Sequence, residues 1–259
     1  PSTTRRRTPG LRREEVAVLA GVSVEYLTRL EQGRDVKPSA DVIDALATAL
    51  RLTDDERTYL TTIAMAGTAR ALCPTLTTMN PQVAPNVRTI LERLDPTPAF
   101  VSSPATDVLA GNAAWRALVE PLGMLTGDPP NLALYVFASP RAPEVLSEWT
   151  RVADEYVSQL RSASLRWGQD PTFESLLERL GTVPEFARRW SSHRVSEHHR
   201  GMTLLRHPDV GELRLRFEAL QLPDDADQRL TTWLPADEQT EAALRRVTSA
   251  GPLRIVRPA

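Results

Sequence analysis

The tightest constraint in this sequence is the stretch LRREEVAVLAGVSVEYLTRLEQG at residues 11–33. Its first half, residues 13–20, carries Val16, Leu19 and Ala20 at spacings that gather them on one face of a short helix. Gly21 interrupts the pattern; a glycine there admits the left-handed backbone of a sharp corner, with Val22 folding inward between the flanking helices. Ser23 supplies a hydroxyl to cap the amides opening a second helix over residues 24–32, Glu25 suits the positive end of its dipole, and Gly33 stops it. Two short helices joined across so tight a corner form a helix-turn-helix, and the N-terminal part of the chain must fold around it.

In the second helix Leu27 and Leu30 face inward, which leaves Val24, Glu25, Thr28, Arg29 and Gln32 on the outward side. Any packed helical hairpin shares that periodicity, so charge has to discriminate. Residues 1–13 carry Arg5, Arg6, Arg7, Arg12 and Arg13 and no acid, and Arg34 and Lys37 follow the second helix. A solvated face is normally mixed in sign, whereas positive charge on both sides of the motif is the footprint of a site for nucleic acid. The formal net charge of −2 argues against a chain coated wholesale in nucleic acid. The basic site is therefore local, with acid elsewhere, as in the run at 223–227.

A length of 259 residues accommodates two domains. The hydrophobic fraction of 41% and charged fraction of 25% are those of a soluble globular protein, and no run approaches the ~18 apolar residues of a membrane span. The single Cys73 excludes an internal disulfide framework and no basic or apolar leader precedes the motif, so a reducing cytoplasm is the simplest location.

Downstream, Ser39 is placed to cap a helix over 40–50 with Val42, Leu46, Ala49 and Leu50 inward. Thr53 and Glu56 then form a capping box for a helix with Tyr59, Leu60 and Ile63 on its core side, closing an all-helical domain over residues 1–68. No charged residue falls between Arg70 and Arg88, while Pro74, Pro81 and Pro85 stiffen the chain. Residues 69–85 thus read as a semi-rigid linker packed partly against one domain. The second domain, residues 86–250, opens with a helix at 86–94 and a hairpin of runs 99–102 and 107–110. Helices follow at 112–119, 132–138, a single long one over 143–167, then 172–180 and 184–193. From Met202 the period changes to two, giving strands at 203–206, 212–218 and 229–233, with Leu213, Leu215 and Phe217 on one face and Arg214, Arg216 and Glu218 on the other. The pattern is α+β.

Catalytic signatures are missing. The sequence has no Gly-x-Ser-x-Gly elbow, no Gly-rich phosphate loop and no His-Glu-x-x-His helix, so no catalytic residue and no cofactor is assigned. A metal site would need three of His193, His198, His199 and His207 to converge with a carboxylate, and none is expected. The plain reading of His193 is a capping or interior residue, and of His207 a turn residue before Pro208; the sharper one gives His193 or Arg206 a contact to an anionic ligand head. Trp115, Leu118, Phe137, Trp190, Phe217 and Trp233 occupy inward positions, as core or as the lining of a cavity.

The run RRRTPGLRREEVAVLAGVSVEYLTRLEQGRDVKPSADVIDALATALRLTDDERTYL resembles the xenobiotic-response-element (phage repressor and Cro-like) helix-turn-helix regulators, of the actinobacterial kind with a C-terminal MmyB-like ligand-binding domain. DPTPAFVSSPATDVLAGNAAWRAL, PEFARRWSSHRV and RHPDVGELRLRFEALQLPDDADQRLTTW are similar to the three signature stretches of that domain, so the likeness spans nearly all of residues 5–248. It implies that Val24, Glu25, Thr28 and Arg29 meet base edges and that Arg13 meets phosphate. For the second domain it implies a PAS-like fold, an antiparallel sheet covered by helices, and an apolar carboxylic acid such as a fatty acid as ligand. The implied function is a sequence-specific transcription regulator on a double-stranded DNA operator, and because one short recognition helix reads only a few base pairs, a homodimer on two half-sites is expected. The alternatives are a dimeric repressor whose second domain is structural, and an interaction adaptor that has lost DNA binding. Two departures stand out: such regulators carry a further helix before the arginine run, whereas this sequence begins at Pro1, and Gly111 stands where relatives have a tryptophan, a change that would enlarge the pocket or alter its ligand.

Overall fold

A computed structural model describes residues 11–34, 38–69, 78–192, 199–222 and 227–249, which belong to two units, Pro1–Thr75 and Leu76–Ala259. The first contains α1 (Arg13–Leu19), α2 (Val24–Glu31), α3 (Ala40–Ala49) and α4 (Asp54–Ala69). Gly21 and Gly33 both adopt positive φ, 65° and 63°, as the corner after α1 and the stop after α2 require. Ser39 accepts the Val42 amide, and Thr53 and Glu56 complete their capping box, Thr53 N–H donating to Glu56 Oε2 at 2.9 Å and Glu56 N–H to Thr53 Oγ1 at 3.4 Å.

The inner faces are turned slightly from expectation. Val16, Ala17, Ala20, Leu27 and Leu46 form the core of this unit. Leu19 is 60% exposed, because small Ala17 takes the inward place and lets α1 approach its neighbours. Leu50 caps α3 rather than continuing its stripe, so Ile43, Leu46 and Ala47 are buried and Leu50 is not; Ile63, expected in the core, is also exposed.

The second unit opens with α5 (Pro85–Arg93), then β1 (Ala99–Ser102) and β2 (Val108–Gly111). The helices α6 (Ala113–Val119), α7 (Leu132–Ala138), α8 (Ala142–Val145), α9 (Trp149–Trp167), α10 (Pro171–Gly181) and α11 (Pro184–Trp190) follow. The chain then returns to the sheet through β3 (Arg200–His207), β4 (Gly211–Leu222) and β5 (Gln228–Pro235), and finishes with α12 (Glu238–Ser249). The sheet is antiparallel in the order β2-β1-β5-β4-β3, which puts the last strand at its centre. Alternation sorts its side chains: Leu205, Leu213, Leu215, Phe100 and Trp233 join a large core with the helices of one side, while Ala99, Val101 and Leu230 pack with Val83, Val87 and Leu91 on the other.

Two features depart from the sequence reading. The long helix expected over 143–167 is interrupted, because Leu146 is extended and bridges to Leu205 while the Ser147 amide donates to the Leu204 carbonyl at 3.1 Å. Together with the Arg151 guanidinium, which donates to the Met202 carbonyl, this break covers the free edge of β3. The other is α12, absent from the reading; Asp237 accepts the Thr240 amide at its start, and Ala243 and Leu244 are buried in the large core. Among the described residues no helix is long and apolar enough to cross a membrane.

Candidate functional site

In the first unit the candidate surface is built on α2. The Ser23 hydroxyl accepts the Tyr26 amide at 3.0 Å and fixes where the helix begins. Burial of Leu27 then turns Val24, Glu25, Arg29 and Gln32 to solvent. Thr28 is half-buried, and its hydroxyl donates to the Val24 carbonyl at 2.8 Å, leaving a methyl group and an oxygen lone pair to present. Arg13 is shared: its Nε and Nη2 lie 2.8 and 2.7 Å from Glu31 Oε2, so the guanidinium ties the start of α1 to the end of α2. Arg12 and Arg34 are exposed, and Arg5, Arg6, Arg7 and Lys37 lie outside the described residues.

In the second unit a cavity of about 120 Å³ lies between the sheet and its helices. Phe100, Leu205, Phe217 and Trp233 line it from the strands, and Leu132 and Val136 from α7. From α9 come Val152, Glu155, Tyr156 and Gln159, the i, i+3, i+4, i+7 stripe that shares one helical face. The wall is mixed, since Ser102, Thr106, Thr203 and Thr231 add hydroxyls and Arg229 a guanidinium. Glu155 pairs with Arg151 at 2.5 Å, and burial pushes the Tyr156 phenol pKa upward, which keeps it a hydrogen-bond donor. An apolar body with one polar side suits an amphiphile of modest size.

The model of the MmyB-like transcription regulator ligand binding domain matches residues 83–247, more than half of the chain, and that of a helix-turn-helix domain matches residues 3–60. The chain belongs to the MmyB-like family. It is a ligand-responsive DNA-binding transcription regulator. No curated protein matches it.

Within the MmyB-like domain, Phe217 and Trp233 are the anticipated residues that reach the cavity. Trp115 stands one layer behind, its ring 4.9 Å from that of Phe100, and Leu118 is fully buried on the same helix. Phe137 meets Phe186 and Trp149 edge-on, and Trp190 stacks on Phe186 beneath the Arg161 guanidinium. Arg206 is exposed, because Thr203 and Leu205 face the cavity and their neighbours on β3 therefore point to the opposite side. His193 lies outside the described residues. His207 is the last residue of β3, buried just before the turn that Pro208 opens; its Nδ1 accepts the Asp209 amide at 3.2 Å, and burial lowers its pKa. Gly111 opens no extra room, for a Cβ there would stand 2.4 Å from Trp115 Cε3, and the indole already fills that space. The lining residues that sequence reasoning passed over include Glu155, Tyr156, Gln159, Thr203 and Thr231. Polar residues at inward positions of otherwise apolar stripes were the available signal.

Proposed function

We propose that this MmyB-like regulator is a cytoplasmic homodimer that docks α2 in the major groove of a double-stranded DNA operator and senses a small apolar ligand with a polar head, such as a fatty acid. What carries the reading is the mixed wall of the cavity, hydrocarbon on Phe100, Leu205, Val136 and Val152 with hydroxyl, carboxamide and charged groups beside it. A cavity of about 120 Å³ holds roughly four waters at their ~30 Å³ share of the liquid, a little less than the ~150 Å³ that takes a benzene ring. A segment of about four to five methylenes is of that size and contributes ~3–4 kcal/mol before ordering costs, so the remainder of a longer acyl chain would lie outside the cavity. On the DNA side, Arg29 suits a bidentate contact to guanine, Glu25 accepts from cytosine, and two half-sites ~10 bp apart match a two-fold dimer.

The deciding experiment measures operator affinity of delipidated protein with and without saturating decanoic acid, after native mass spectrometry has established what the purified protein carries. A ligand shifts the DNA-bound population only by the difference between its affinities for two conformations. A change of tenfold or more is expected; unchanged affinity would make the cavity a structural feature. Phosphate contact is tested separately: with roughly five phosphates neutralised per protomer, log K should fall against log salt with a slope near −4 to −5.

A further inference from the structure

We infer that Gln228 is a positioning residue that couples the cavity to the stretch through which the chain enters the second unit, residues 79–83. This deepens the ligand reading above and rests on it for its purpose, though not for its geometry.

That stretch is held by two buried polar side chains. Asp170, 2% exposed, accepts the Met79 amide on Oδ2 at 2.7 Å while its Oδ1 caps α10 through the Thr172 and Phe173 amides. Gln228, fully buried, donates from Nε2 to the Asn80 carbonyl at 3.0 Å and to the Gln82 carbonyl at 2.9 Å. Met79 belongs to the core on the cavity side of the sheet and Val83 to the core on the other side, so the chain passes from one to the other at Gln228.

Gln228 is also the first residue of β5, the central strand. Its successors Arg229, Thr231 and Trp233 line the cavity, and between them Leu230 packs with Val83 in the opposite core. One strand is therefore wall to the cavity on one face and anchor to the entering chain on the other. Interiors are packed densely enough that a displacement of such a wall is transmitted rather than absorbed. The anchor is also poised to let go. Gln228 Oε1 is buried with no hydrogen-bond partner among the described residues, so the amide bears one unsatisfied acceptor, and a movement that rotates this oxygen toward a donor would withdraw Nε2 from the two carbonyls. Filling the cavity should then loosen residues 79–83.

The test fills the cavity from within, so that it needs no ligand. Ala219 lines the cavity opposite Thr231, and Ala219→Phe places a ring there. Hydrogen exchange of residues 79–84 is compared in the full-length wild type, Ala219→Phe, Gln228→Leu and the double variant. We expect Ala219→Phe and Gln228→Leu each to speed exchange tenfold or more, and the double variant to match Gln228→Leu alone. Unchanged exchange in Ala219→Phe, or a further acceleration in the double variant, would overturn the coupling. If Ala219→Phe does not fold, the milder Thr231→Leu is read by the same criteria. The DNA arm is separate: accelerated exchange with operator affinity indifferent to decanoic acid leaves the coupling intact and counts against the sensor reading.

Discussion

The two units keep their functional groups on opposite sides of the same physics. In the helix-turn-helix, Leu27 is spent on packing, and the outward residues Glu25 and Arg29, for which base contacts are proposed, take no part in the core. In the ligand domain, Phe100, Leu205 and Trp233 belong to the large core and line the cavity at once. A chemical change on the first surface should alter binding and spare stability, whereas one in the second should alter both. The sharpest break is expected at Trp115, 1% exposed behind Phe100, where Trp115→Ala should cost about 3–5 kcal/mol of stability. Urea unfolding followed by the remaining tryptophans checks it, since all five, Trp115, Trp149, Trp167, Trp190 and Trp233, lie in the second unit. A loss below about 1 kcal/mol would mean that the layer behind the cavity is not packed as described.

On the other side of the contrast, Arg29→Ala should change stability by no more than about 0.5 kcal/mol. It should weaken operator binding by about 1–3 kcal/mol and relax preference at one base pair, as loss of a bidentate base contact does. Binding selections with wild-type and variant protein on a randomised operator read both quantities. Equal weakening on every sequence would move Arg29 from base recognition to phosphate contact.

The same contrast explains what the sequence disclosed. Capping serines, Gly21 and Gly33 act within a few residues of where they stand, so the helix-turn-helix was legible almost to its boundaries. The strands from Met202 onward were legible from their alternation, and the structure keeps Leu213 and Leu215 buried with Arg214 and Arg216 exposed. Leu146 was not, because nothing local says that a residue between two helical runs will pair with Leu205, 59 positions away. Cavity lining was the least legible: Trp115 and Trp233 are equally apolar and both buried, yet Trp233 alone of the two reaches the cavity, and that difference is made by the stacking of whole elements. Gln228 shows the same limit, since its partners Asn80 and Gln82 lie far off in the chain.

His207 extends the contrast to acid. Burial holds the pKa of its imidazole below the ordinary value of about 6.5, and the Asp209 amide occupies Nδ1, so the folded domain resists the proton that the unfolded chain accepts. Where the unfolded state binds more protons, stability rises with pH. Its contribution is therefore full above about pH 6.5 and falls as the pH drops from there toward the lower folded-state value. Tryptophan-monitored urea unfolding should show that decline as the pH falls below about 6.5, and His207→Gln, which keeps an acceptor for the Asp209 amide, should flatten it. An undiminished slope in the variant would assign the acid sensitivity to other groups.

The smallest effect concerns a residue of the outer surface that is tied to the fold by an ion pair. Arg13 is where the resemblance implies phosphate contact, and it is also paired to Glu31 with both side chains about half exposed. A pair so exposed contributes only about 0.2–1 kcal/mol to stability, because water screens it and two long side chains must be held in register. The question is which partner the guanidinium prefers when DNA is present. An arginine carries five N–H donors, and two nitrogens facing Glu31 leave others for a phosphate, so both contacts are compatible in principle. If they coexist, Glu31→Gln should leave the salt dependence of operator binding unchanged, since Arg13 already counts among the neutralising charges. If they compete, the same substitution should release Arg13, strengthen binding and steepen the log–log salt slope by about 0.9. Removing the carboxylate also lessens repulsion of DNA in general, and the Arg13→Ala background isolates that part: whatever Glu31→Gln does there owes nothing to the pair. We expect coexistence, with an interaction energy near a few tenths of a kcal/mol and no change in slope. A steeper slope in the single variant that disappears in the double one would make Glu31 a brake on phosphate binding, and the outer surface of the helix-turn-helix would then be tied to its fold in the way the cavity wall is.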